Sequence, residues 1–274
     1  MDRYKTSLLT IVSGRQTAFQ NFLKGLTYST VFPDELIIIF MNEPVCNLPD
    51  LGFPVKAFEF NSSNALPLAA ARNKAAQEAI GDLLIFLDID CIVHPELISA
   101  YQSCHVPNHL LVGPVRYLPN QAPQQNEFFT RLLELSSPDP IRATVDPLPY
   151  ELFWSLNFAC EQKAYELIGG FDEGFNGYGG EDTDFAFSAR AQGIPIQTVD
   201  AVAFHQYHHS YSPPLNHFSD IVLNAQYFYN KWSIWPMEGW LSSFEQLGLI
   251  SWTESKIEMI RQPNASEVDL VLKS

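Results

Sequence analysis

"LLIFLDIDCIVHPE", residues 83–96, decides the fold. Five consecutive apolar residues, Leu83 to Leu87, stop abruptly at two carboxylates, Asp88 and Asp90. An apolar run of this kind reads as a strand buried on both faces, as in a parallel sheet covered by helices. In open α/β sheets the crevice beyond the carboxyl ends of the strands is where ligands bind. Asp88 and Asp90 are therefore expected to face a ligand, and as hard oxygen donors they suit a Mg²⁺ or Mn²⁺ that bridges to phosphate. The competing reading is a plain Asx turn or helix cap before "PELISAY".

Working outward, strand and helix signals alternate. "SLLTIVS" (7–13) reads as a strand, and "QTAFQNFLKGL" (16–26) repeats Phe19, Phe22, Leu23 and Leu26 at helical spacing. "ELIIIFM" (35–41) and "PVKAFEF" (54–60) read as further strands, followed by the alanine-rich helix "LPLAAARNKAAQEAI", which ends at Gly81. This alternation predicts an α/β fold with a mostly parallel, helix-flanked sheet and right-handed crossovers. Residues 116 to 150, rich in Pro, Gln and Asn, predict a long loop with one short helix near "EFFTRLLEL". Beyond it come "LFWSLNFAC", a helix "EQKAYELI", a helix opening at "EDTDFAFSARAQG" and a short strand into "AVAFHQYHH". Aromatic-rich helices are expected to about 250, then a loose tail. "YFYNKWSIWPMEGW" has three Trp in nine residues, expected to close the core beneath the ligand crevice or to roof it.

Bulk properties narrow the function. The 274 residues are 46% hydrophobic and 17% charged, enough for one large core with an appended subdomain. Lys and Arg number 16 against 31 Asp and Glu, a net charge of −15, so nucleic acid is not expected as a partner. No run approaches the ~18 apolar residues of a membrane span, and the N-terminus lacks a signal-peptide pattern. Cys46, Cys91, Cys104 and Cys160 have no CxxC spacing, which suits a reducing cytoplasm.

Two further constellations carry chemistry. Glu181, Asp182 and Asp184 open a helix behind "GGFDEGFNGYGG", six glycines in twelve residues. An acidic first turn is favoured by the helix dipole alone, but a carboxylate there also projects into the crevice, where it could act as a general base. In "FHQYHH", an extended chain puts His205 and His209 on one face and turns His208 away. The cluster is either a solvated turn or the completion of a metal site begun by Asp90.

"AARNKAAQEAIGDLLIFLDIDC" resembles the nucleotide-sugar half of family-2 glycosyltransferases of the GT-A fold. "GGFDEGFNGYGGEDTDFAFSARAQG" resembles the C-terminal region shared by β-galactosyltransferases and polypeptide N-acetylgalactosaminyltransferases. The resemblance implies a Rossmann-like GT-A domain over 1–212, with a nucleotide-binding half (1–115) and an acceptor half (150–212), and a helical C-terminal extension over 213–274. It implies Asp90 and His205 as metal ligands for Mn²⁺ or Mg²⁺, Asp182 as catalytic base, and Arg15, Glu43, Arg72, Asp88 and Asp90 as donor-binding residues. Trp154, Asn157, Tyr178, Gly180 and Glu181 would line the sugar and acceptor side. This chain has "MNEP" where many relatives carry paired Asp residues, which makes Glu43 the candidate there, and Tyr178 stands where galactosyltransferases have Trp. Ala75 replaces a glycine common in the helix motif.

The implied reaction is metal-dependent, inverting transfer of a hexose or N-acetylhexosamine from a UDP-sugar to a hydroxyl of a glycan or other acceptor. The helix dipole should keep Asp182 ionised at neutral pH. The expected partners are the nucleotide-sugar and the acceptor, with cytoplasmic location and at most peripheral contact with a membrane. Two other readings stand beside this one. "LIFLDIDCIV" is also similar to the first motif of haloacid-dehalogenase phosphatases, with Asp88 as nucleophile, although three strands precede it here. A non-catalytic carbohydrate-binding relative would keep the fold without transfer.

Overall fold

The computed structural model describes residues 4–273. In chain order it runs β1 (Thr6–Val12), α1 (Gln16–Leu26), β2 (Glu35–Met41), β3 (Val55–Phe60), α2 (Leu68–Glu78), β4 (Leu83–Leu87), β5 (Cys91–Val93) and α3 (Leu97–Ser103). Then follow β6 (Leu110–Val112), β7 (Val115–Tyr117), α4 (Leu132–Leu135), β8 (Ser137–Pro138), β9 (Asn157–Glu161), α5 (Gln162–Ile168), α6 (Glu181–Ala191), β10 (Ile196–Thr198) and β11 (Ala203–His205). The remainder is β12 (Ser210–Tyr211), α7 (Phe218–Trp232), α8 (Glu238–Gln246), β13 (Ile250–Trp252), β14 (Ile257–Met259), α9 (Ala265–Leu270) and β15 (Leu272–Lys273).

The central sheet has the order β10-β6-β9-β4-β1-β2-β3. Every pairing is parallel except those of β9, which runs antiparallel to both β4 and β6. β1, β2 and β4 are buried along their whole lengths, as unbroken apolar runs require. The helical period of α1 buries Phe19, Phe22, Leu23 and Leu26, while α2 lays its small Ala69, Ala71, Ala75 and Ala76 toward the core. α2 packs against β1 and β2, and Arg72 is buried on it together with these alanines.

A second, smaller sheet decides where the site forms. Its order is β5-β11-β7-β8, with His205 opposite both Cys91 and Tyr117. Cys91 directly follows Asp90, so this register brings a residue 115 positions away in sequence (205 − 90) beside the end of β4. The backbone N–H of Gln206 seals the junction by donating to the Asp90 carbonyl at 2.7 Å. The loop expected over 116–150 is more ordered than a bare connection, because Arg116 pins its own strand to Ser136 with bonds of 2.7 and 2.9 Å.

An aromatic core joins the sheet to the glycine-rich segment. Phe86 of β4 stacks on Phe158 of β9 at 4.6 Å, and Phe171 stacks on Phe185 of α6 at 4.3 Å. The C-terminal helices α7 and α8 form their own apolar cluster around Phe218, Ile221 and Phe244, with Tyr178 and Trp240 packed against it. The tail differs from the loose end expected of it. β13 and β14 form a hairpin, Asn264 and Glu267 cap α9 reciprocally, and β15 pairs antiparallel with β12. The long-range β12–β15 pairing supplies partners that local sequence could not advertise. Among the described residues no helix is long and apolar enough to cross a membrane.

Candidate active site

Asp90 lies in the tight turn after β4, where the Cys91 N–H donates to the Asp88 carbonyl at 2.9 Å. β11 ends at His205, so the alternation of an extended chain ceases there. The His208 ring returns to 5.2 Å from His205, whereas His209 pairs with Tyr207 at 5.8 Å. This corrects the extended-chain expectation that turned His208 away. One ligand atom each from Asp90, His205 and His208 falls within 4.8 Å of the others. Burial pushes the His205 imidazole down to about 4, against the opposing pull of Asp90. A neutral ring keeps its lone pair free for a cation. One carboxylate and two imidazoles fit Mn²⁺ better than Mg²⁺, which prefers oxygen alone.

Arg15 reaches the same carboxylate. It starts α1 in the left-handed region, φ 52°, and its Nη1 lies 2.6 Å from Asp90 Oδ2. Glu43, beyond the end of β2, accepts from the Gly14 N–H at 2.9 Å. Both expected donor-side residues therefore gather at the carboxyl ends of the first strands, with Glu43 bracing the turn that presents Arg15.

Arg72 bridges the two halves of the cleft. Its guanidinium is 3.0 Å from Glu181 Oε1 and 3.6 Å from Asp88 Oδ1, and it lies over the Phe171 ring at 5.2 Å. Glu181, at 5% exposure, is held inside by this pair. Asp182 remains half-buried toward the cleft and accepts from the Thr183 N–H at 2.8 Å. Desolvation, reinforced by the Glu181 charge, pushes the Asp182 carboxyl up to about 7, against Arg72 and backbone N–H groups. The expectation that the helix dipole keeps it ionised at neutral pH is thus corrected. At this depth, burial and a like charge outweigh the helix terminus. Burial likewise raises Asp88 despite Arg72.

The glycines before α6 are shaped from the C-terminal region. Gly177, Gly179 and Gly180 have φ of 74°, 96° and 92°, a region costly for other residues. Asn224 of α7, buried on the helix's apolar stripe, donates to the carbonyls of Asn176 and Gly179, both at 2.9 Å. Asp220 accepts from the Tyr178 N–H at 3.2 Å. Neither residue was picked out from the sequence; the available signal was a polar residue at 224 among buried positions 221, 225 and 228. The Tyr178 ring stacks on His217 at 4.5 Å with Trp240 beside it. Asp184 turns away from the cleft to Lys231 and Trp232 of α7, at 2.9 and 2.7 Å.

On the remaining wall, Trp154 packs under the Arg142 guanidinium at 4.5 Å. Asn157, expected among the sugar-side residues, is 1% exposed. It accepts from Tyr101 and donates to the Ala201 carbonyl at 2.8 and 2.7 Å, so its amide is spent inside the fold. Ser155, Thr10, Arg72 and Asp88 line a small cavity between these walls.

Comparison with known proteins places the fold and the family resemblance. Residues 56–166 match the model of glycosyl transferase family 2, and residues 141–213 match a model described as the N-terminal domain of galactosyltransferase. Validoxylamine A glucosyltransferase of Streptomyces hygroscopicus subsp. jinggangensis is 25% identical over 164 residues, 51% of this chain and 39% of that protein. Hyaluronan synthase of Pasteurella multocida is 24% identical over 173 residues, 52% of this chain and 18% of that one. The matched region thus spans well under half the length of these relatives. A crystal structure of GalNAc-T7 with UDP, GalNAc and Mn²⁺ superposes with a TM-score of 0.53 at 18% identity, covering 83% of this chain and 50% of that one. The chain resembles family-2 and galactosyltransferase-type glycosyltransferases, and its fold is that of GT-A enzymes.

Proposed function

We propose that the protein is a metal-dependent, inverting glycosyltransferase that moves a hexose or N-acetylhexosamine from a UDP-sugar to a hydroxyl of a glycan or other acceptor. One observation carries the reading. Asp90, His205 and His208 converge at the strand ends, on the same cleft into which α6 opens with Asp182. The matches to glycosyltransferase families over residues 56–213 support the same class. The phosphatase alternative loses ground, because Asp88 is engaged by Arg72 and its strand is fourth in the chain.

Asp90, His205 and His208 would hold Mn²⁺, which when bound supplies positive charge against the diphosphate leaving group. Arg15, Glu43, Asp88 and Arg72 form the donor side. Asp182, as the carboxylate, takes the proton from the acceptor hydroxyl while that oxygen attacks the anomeric carbon. The bond to the diphosphate breaks in the same displacement, which inverts the centre. Arg72 fixes Glu181 beside the base, and Trp154, Tyr178 and Gly180 bound the sugar side. In this division of labour residues 1–115 bind donor, 150–212 bind acceptor, and 213–274 support the acceptor wall. A cytoplasmic setting, with membrane contact at most peripheral, suits four unpaired thiols.

The test is calorimetric titration of UDP with Mn²⁺ and with EDTA, on wild type and on Asp90→Ala. Metal-dependent binding lost in the variant is expected, followed by transfer from a UDP-sugar panel. Absence of UDP binding under both conditions would overturn the reading, and binding without transfer to any acceptor would favour the non-catalytic relative.

A further inference from the structure

The proline-rich stretch before Trp154 holds a buried cation whose hydrogen-bond donors are unspent. Arg142 is 9% exposed, yet its Nε has no hydrogen-bond partner. It is ion-paired with Asp139, whose Oδ2 lies 3.6 Å from the Nε, too long for a hydrogen bond. Asp139 instead spends Oδ1 on the N–H groups of Ile141 and Arg142, at 2.8 and 2.7 Å. A guanidinium offers five donors in a fixed fork, and this one makes no hydrogen bond from its side chain to any described residue. A buried charged group in that condition is costly, and it calls for an occupant that accepts hydrogen bonds.

The surroundings say which occupant. The guanidinium packs over Trp154 at 4.5 Å, and the next residue, Ser155, lines the cavity shared with Arg72 and Asp88. On the other side, Asp139 directly follows β8, whose Ser137 pairs with Tyr117, and the Tyr117 ring is 5.1 Å from His205. Arg142 is thus flanked by one segment leading to Asp88 and another leading to the metal group. In a chain of net charge −15, Arg72 is committed to Glu181 and Asp88, and Arg15 to Asp90. Arg142 is the arginine of this wall with donors to spare.

We propose that Arg142 is an anion-binding residue of the donor site, taking a pair of oxyanion oxygens of the nucleotide-sugar while Trp154 holds the guanidinium plane. This deepens the function proposed above and rests on it. The oxygens belong either to the diphosphate or to a carboxylate on the sugar, and both chemistries match a bidentate fork.

The experiment titrates UDP, UDP-glucose and UDP-glucuronate, each with Mn²⁺, into wild type, Arg142→Gln and Arg142→Lys, with the melting temperature of each protein recorded. Recognition of the diphosphate weakens all three ligands in Arg142→Gln by about tenfold or more. Recognition of a sugar carboxylate weakens UDP-glucuronate alone by that factor. Wild-type affinity for all three in folded Arg142→Gln overturns the proposal and leaves a purely structural stack on Trp154. Should Arg142→Gln fail to fold, Arg142→Lys decides, since it keeps the charge and loses the fork. A loss of about threefold or more is then expected, and an unchanged affinity overturns the proposal. Wild type that binds no UDP at all would sink the glycosyltransferase reading itself, an outcome visible before any variant is made.

Discussion

Arg72 and Glu181, 109 positions apart in sequence, meet at 3.0 Å in the interior and tie α2 to α6, the helix that carries Asp182. Removing one partner of a buried pair leaves the other charge uncompensated. Arg72→Met should therefore cost roughly 3–5 kcal/mol of stability, read from urea denaturation. The double variant Arg72→Met/Glu181→Gln should recover part of that loss. A single variant as stable as wild type would contradict the pairing.

The Asp182 carboxyl, held up to about 7, makes the pH dependence specific. A base must be deprotonated to act, so transfer should rise as pH increases through about 7 and level off above it. Asp182→Asn should lower transfer by ~10²–10⁴ while UDP binding persists. Stability runs the other way. The folded state holds the Asp182 proton more tightly than the unfolded chain, whose carboxyl titrates near the ordinary 3.8, so this contribution is complete below that pH and lost as pH rises through about 7. Asp182→Asn should thus be more stable than wild type at pH 8, with the advantage gone by about pH 4; thermal melts at the two pH values decide.

The histidine cluster gives a sharp contrast between neighbours. His208→Ala should weaken Mn²⁺ binding by about tenfold or more, because even residues that only support a ligand are worth that much. His209→Ala, whose ring turns to Tyr207, should leave it unchanged. Titration calorimetry on the two variants would reverse the ligand assignment if the effects came out exchanged.

The glycine-rich approach depends on the C-terminal region. Asn224→Ala would strip hydrogen bonds from the Asn176 and Gly179 carbonyls and should cost about 1–3 kcal/mol, checked by urea denaturation. Gly177→Ala should be worse than its size suggests, because the added methyl would meet the Asp220 carboxylate well inside contact distance and φ is 74°. Equal stability of Gly177→Ala and wild type would mean that this contact yields freely.

The sequence alone determined the α/β class, the four leading strands and both carboxylate groups. Each is a local signal: an apolar run long enough to be buried on two faces, an alanine face, glycines before an acidic first turn. Asp88, Asp90, Glu181 and Asp182 could be picked out for the same reason, since strand ends and helix starts project their side chains predictably. Only the tertiary structure decided what those side chains meet. The choice of His208 over His209 depended on where β11 stops, which is fixed by its pairing with β5 and β7 rather than by periodicity. The charge state of Asp182 depended on burial beside Glu181, which no dipole argument contains. Asn157 and Asn224 owe their roles to partners 44 and 48 positions away, and the closing β12–β15 pair joins residues more than sixty apart. Local sequence fixes the conformation of a segment through its own backbone and side-chain preferences; hydrogen-bond partners and desolvation belong to whichever distant segment the fold brings alongside.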